Sequence, residues 1–164
     1  MNNSVKNSLL FLLIAALFTS SALAADFSKV SGSVEADLRQ NLQLPAGPAT
    51  QFVPFHIPGQ GLFIVVTTDF SMRPTVQTPF GAATKRGTAP KPGNIRQALK
   101  TAVLNCRKLP LPSGENESLF IILVNRAFFS RPDSSQPQFI TYKAYIPVAE
   151  LKSAKDPGSK IHTE

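Results

Sequence analysis

The sequence predicts an α+β domain: a mainly antiparallel four-stranded sheet (a β-hairpin, a helix, then two strands) with an N-terminal helix packed on it. Three observations carry this. Apolar residues recur every three or four positions in two separate stretches, 27–44 and 95–106. Four other stretches, QFVPFHI, LFIVVTTDF, SLFIILVNR and QFITYKAYIP, are rich in β-branched and aromatic residues. The first two of these flank Pro58-Gly59-Gln60-Gly61, a tight-turn sequence. The order α-β-β-α-β-β suits helices packed on a sheet rather than a regular βαβ repeat.

The chain of 164 residues opens on a leader. Lys6 precedes the apolar run LLFLLIAALF, and Ala22-Leu23-Ala24 supplies a small-residue cleavage site. A basic start, an apolar core of about ten residues and an A-x-A site describe a secretory signal peptide, residues 1–24. The run is shorter than the roughly 20 apolar residues that span a bilayer. Cleavage after Ala24 is expected, so the location is periplasmic or secreted. Loss of Lys6 takes the formal charge of +7 down by one.

Residues 25–50 are expected to form the N-terminal helix and a linker. Phe27, Val30, Val34, Leu38 and Leu42 make one apolar stripe, and Glu35, Asp37 and Arg39 fall off it. Pro45 stops the helix. Residues 51–154 form the single α+β domain. In its hairpin, Pro58 then Gly59 predicts a type II turn, whose third position needs a positive φ. Gly61 relieves crowding where the second strand begins. A phosphate cradle would instead need a helix after the glycines, and here a strand follows. Pro58, Gly59 and Gly61 are therefore read as turn residues.

Residues 71–93 have no apolar periodicity and read as a long loop. A helix then starts at the N-cap Asn94, with Gln97 as its capping-box partner, and Ile95, Ala98, Leu99, Ala102, Val103 and Cys106 as its buried stripe. Pro110 and Pro112 end it. SLFIILVNR reads as a central strand covered on both faces. QFITYKAYIP alternates, with Ile140, Tyr142, Ala144 and Ile146 on one side and Thr141, Lys143 and Tyr145 on the other. VAELKSA adds a helical turn, and residues 155–164 are a polar, flexible tail.

The strand entering Ile57-Pro58-Gly59-Gln60-Gly61, the basic loop, the single helix and the acidic lead-in GENESLFIILV together resemble a group of small secreted bacterial proteins of unknown function. The resemblance spans about residues 52–152. It implies export and a similar fold, and carries no catalytic residues over.

The chemistry legible in the sequence is sparse. Cys106 is the sole cysteine, so no intramolecular disulfide forms, and its place on the helical stripe makes it a core residue. No H-E-x-x-H, C-x-x-C or G-x-S-x-G occurs, and no catalytic residue, metal or cofactor is assigned. His56 with Asp69 or Asp133 is the residue set open to a hydrolytic triad, but no serine is marked to join them. Glu115 and Glu117 read as a solvated turn.

One feature stands out. No acidic residue lies between Asp69 and Glu115, while Arg73, Lys85, Arg86, Lys91, Arg96, Lys100, Arg107 and Lys108 all do. Eight cations in a loop plus one helix face form a candidate site for an anionic envelope component (a lipid headgroup, lipopolysaccharide or acidic polysaccharide) or another envelope protein. Nucleic acid is disfavoured by export and by the lack of aromatics interleaved with the cations. The expectation is a small, exported, non-enzymatic binding or accessory module. The alternatives are a small exported hydrolase, or a secreted inhibitor or toxin.

Overall fold

The computed structural model describes residues 27–70, 76–78, 81–83, 89–114, 116–126 and 139–164. The leader, Arg73, Lys85, Arg86, Glu115 and Asp133 lie outside them. Helix α1 covers residues 27–42, and its stripe Phe27, Val30, Val34, Leu38 and Leu42 is buried in the core. It ends on Gln43, whose φ of 50° is left-handed and whose N–H reaches the Arg39 carbonyl at 3.1 Å.

Strands β1 (Thr50–Ile57) and β2 (Gly61–Thr68) pair antiparallel, from Ile57 opposite Gly61 to Thr50 opposite Thr68. The turn between them is the predicted one. Gly59 has φ 78°, and the Gln60 N–H donates to the Ile57 carbonyl at 2.9 Å. The segment after β2 carries a short antiparallel pair, β3 (Val76–Thr78) with β4 (Gly81–Ala83), where the sequence suggested only a loop.

Helix α2 runs Pro92–Asn105, and Ile95, Ala98, Leu99, Ala102 and Val103 are buried. Its N-cap is Lys91 rather than the expected Asn94. Proline suits the first helical position because its missing N–H is unneeded there, so the helix begins at Pro92. Cys106 follows in a 3₁₀ turn and is fully buried, as expected.

Strand β5 (Ser118–Asn125) pairs with β2 in parallel, Gly61 opposite Ser118. Strand β6 (Ile140–Pro147) then pairs antiparallel with β5. Helix α3 (Val148–Ser153) and a 3₁₀ turn (Pro157–Lys160) lead to β7 (His162–Thr163), which pairs antiparallel with β6. The sheet order is β1-β2-β5-β6-β7.

Two expectations are thereby corrected. The main sheet has five strands rather than four, and it is mixed: three of its pairings are antiparallel, but β2 and β5 run parallel. A crossover through α2 returns the chain in the direction of β2, and such a connection is what a parallel pair requires. The fifth strand comes from the segment read as a tail. There Ile161 is buried, and Lys143 and Glu164 exchange backbone hydrogen bonds of 3.1 and 2.9 Å.

The helices share one face of this sheet. Leu62, Ile64 and Val66 of β2, Leu119, Ile121 and Leu123 of β5, and Tyr142, Ala144 and Ile146 of β6 are buried with them in one core. The alternate residues of β2, β5 and β6 are half-buried, so β5 is central but not covered by helices on both faces among the described residues. No helix of the described residues is long and apolar enough to cross a membrane.

Candidate functional site

His56 is the next-to-last residue of β1, opposite Leu62 of β2. Glu117 directly precedes β5, whose first residue Ser118 pairs with Gly61. The antiparallel register and the parallel register thus bring both side chains to the same end of the sheet. His56 Nε2 lies 3.1 Å from each Glu117 carboxylate oxygen. The Gly59 backbone N–H donates to Glu117 Oε1 at 3.1 Å. The α1 residue Phe27 stands over the imidazole with ring centroids 5.3 Å apart.

The backbone fixes this pair from three sides. The Glu117 N–H donates to the Gly114 carbonyl, its own carbonyl accepts from the Val148 N–H at 2.9 Å, and the Ser118 N–H donates to the Gln60 carbonyl at 3.0 Å. Gly114 is packed so closely that a Cβ there would lie 2.8 Å from the Glu117 carboxyl carbon. Glu117 is only 7% exposed. Burial pushes its carboxyl up, but the Gly59 N–H, the bond and charge of His56, and the Gly114 N–H outweigh that and hold it below the ordinary carboxylate range.

The pair forms one wall of a cavity of about 240 Å³, whose other walls are Phe27, Pro110, Leu111, Pro112, Ser113 and Gly114. The chemistry available is that of an oriented imidazole. With Nε2 bonded to Glu117, the chemistry open to the ring falls to Nδ1. A carboxylate behind a histidine fixes the orientation of the ring, and Ser113 shares the cavity. No cluster of three His, Cys, Asp or Glu suited to a metal occurs among the described residues.

Sequence reasoning missed Glu117, taking it for a solvated turn residue. The hint was its place immediately before an apolar strand, where a side chain faces the core end rather than solvent. Asp69, the triad partner suggested for His56, follows Thr68 at the opposite end of the hairpin, about 20 Å away.

The basic residues separate into two groups. Lys91, Arg96 and Lys108 are exposed. Lys100 and Arg107 lie along the seam between α2 and the C-terminal segment. Arg96 stands over the Tyr142 ring at 5.9 Å, Lys100 lies beside Gly158, and Arg107 donates to the Lys152 and Ala154 carbonyls at 3.2 and 3.0 Å. Arg107 thereby caps the end of α3.

No family model, curated protein or solved structure matches this chain.

Proposed function

We propose that this chain is an exported, non-enzymatic accessory module of the cell envelope that meets an anionic partner through α2 and the loop before it. The observation that carries the reading is the state of Lys91 and Arg96. Both are exposed on a helix and N-cap that hold no acidic residue, and neither makes an ion pair among the described residues. Arg73, Lys85 and Arg86 precede them in sequence and extend the same run of charge. The leader supports export. Lys100 and Arg107 enter the reading less directly, because their side chains lie on the seam with the C-terminal segment.

The test is sedimentation with vesicles of anionic phospholipid at low salt. A cation near such a surface contributes about 1 kcal/mol, so neutralising two weakens binding about thirtyfold. Lys91→Gln with Arg96→Gln should show that loss, and added salt should mimic it. Binding that ignores both changes refutes the reading.

A second reading, a small exported hydrolase, is favoured by one observation: His56, oriented by Glu117, shares a cavity with Ser113. Hydrolysis of p-nitrophenyl acetate that disappears in both His56→Ala and Ser113→Ala, yet survives the Lys91 and Arg96 changes, would select it over the first.

A further inference from the structure

The face of the sheet opposite the helices carries a continuous row of stacked rings. Phe55, Phe63, Phe120, Tyr145 and His162 come one from each strand of β1, β2, β5, β6 and β7, in direct register. Their ring centroids are 5.2, 4.4, 5.5 and 4.9 Å apart, and their planes agree within 5, 2, 20 and 18°. At the β1 end the row is joined by Val53 and Ile57. Val53 is 50% exposed, Phe55 41% and Ile57 36%. These are large apolar side chains in one patch, and such patches mark interaction surfaces.

We infer that this face is the contact between two copies of the chain, packed sheet against sheet. The inference is independent of the anionic partner proposed above. Area comes first. Four strands of eight residues offer a face about 19 by 26 Å, roughly 500 Å² per copy before side-chain relief is counted. Two copies bury about 1,000 Å², the size of a weak, reversible interface. Sheets of this kind pack about 10 Å apart with strands nearly aligned.

Charge selects the occupant further. The chain is strongly basic, yet among the described residues the lysine on this face, Lys143, is paired with Glu164 at 2.9 Å. Two copies can approach with little like-charge repulsion, because the remaining cation of the described face, Arg126, lies partly buried at the end of β5. An anionic lipid surface would find Lys143 neutralised by Glu164 and Arg126 partly buried with its guanidinium on Thr67 Oγ1 at 3.2 Å, while Lys91 and Arg96 belong to the helix layer. A sugar would need the flat side of a ring, and here the flat sides are turned on one another, leaving ring edges outward. An extended peptide would need a sheet edge. The β1 edge holds Pro54, which has no N–H, and the opposite edge strand β7 has two residues.

The test is sedimentation velocity of the purified chain from about 1 to about 100 μM, the range in which an interface of this size responds to concentration. The expected result is a monomer–dimer transition that holds or strengthens as salt is added. Val53→Lys with Phe55→Lys, both at exposed positions, should weaken it more than tenfold while the melting temperature at low concentration stays within a few degrees. Ile57→Lys alone, a milder change at the same rim, should act in the same direction. A parent that stays monomeric over the whole range overturns the inference. So does a dimer that survives these lysines, or one that dissolves in salt and with Lys91→Gln and Arg96→Gln.

Discussion

Replacing Gly61 by alanine should be the most damaging single-methyl change in the hairpin. Gly61 has φ 136°, outside the range that side-chain-bearing residues adopt. A Cβ there would collide with the Ser118 carbonyl oxygen and lie 2.6 Å from the Ser118 nitrogen. Ser118 opens β5, and its N–H bonds to the Gln60 carbonyl, so the obstacle is hydrogen-bonded backbone that cannot rotate away. Gly59 is the internal control: its φ of 78° is also left-handed, but a Cβ there meets nothing within 4 Å. Strain at positive φ costs about 1–2 kcal/mol, and the restricted unfolded chain returns about 0.5 kcal/mol. Gly59→Ala should therefore cost about 1 kcal/mol. Gly61→Ala adds a forced backbone shift worth about 1–3 kcal/mol, for a total of about 2–4 kcal/mol. At this chain length that is a drop in melting temperature of about 10 °C against about 4 °C for Gly59→Ala. Thermal unfolding followed by far-UV circular dichroism reads both. A Gly61→Ala protein melting within about 2 °C of the parent, or a Gly59→Ala protein that melts lower than it, refutes the close approach of β2 and β5 at this end.

Glu117 sets a pH dependence. Its carboxyl is held below the ordinary range in the folded chain, so its stabilisation is complete above the unfolded value of about 4.3 and is lost as pH falls through the lower folded value. Glu117→Gln should flatten the fall of melting temperature between about pH 5 and pH 3, and parallel curves for parent and variant would count against the pairing. Burial, with Asp37 adding to it, pushes the Cys106 thiol up to about 12. A thiol reagent at neutral pH should label it only after denaturation, and Cys106→Ser should cost about 1–3 kcal/mol through a poorly partnered hydroxyl. Mass spectrometry of the exported protein should find Ala25 at the N-terminus, and a mature form that keeps Met1 would rule out the signal-peptide reading.

Elements with local causes were legible in the sequence. The α1 stripe needs only its spacing, and the hairpin needs only Pro58 and Gly59, whose turn geometry fixes Phe55 opposite Phe63 without any other information. What escaped was set by long-range pairing. Nothing near Ser118 says that β5 returns alongside β2 rather than joining β6 alone, and the parallel register is what brings Glu117 to His56 across 61 positions of sequence. The β7 strand escaped for a related reason. Two residues carry no periodicity, and the segment is anchored by the buried Ile161 and by backbone bonds to Lys143 rather than by its own composition. The basic run was legible as charge but not as geometry: the carbonyls that Arg107 caps lie 45 and 47 residues away.

The two proposed surfaces lie on opposite layers, and that constrains how they act together. The helix layer carries Lys91 and Arg96, and the ring row lies on the other side of the sheet. In a sheet-to-sheet dimer the two helix layers point away from each other. One flat anionic surface can then engage only one α2 at a time, so dimerisation adds no avidity on that surface, since two sites that cannot be reached together gain nothing from being linked. The dimer would instead join two surfaces or two polymer strands. Vesicle affinity at low salt should accordingly be no lower for Val53→Lys with Phe55→Lys than for the parent, while clustering of vesicles, read as turbidity, should need the intact ring face as well as Lys91 and Arg96. Equal clustering by the monomeric variant would separate the two surfaces altogether, leaving α2 to act without the dimer.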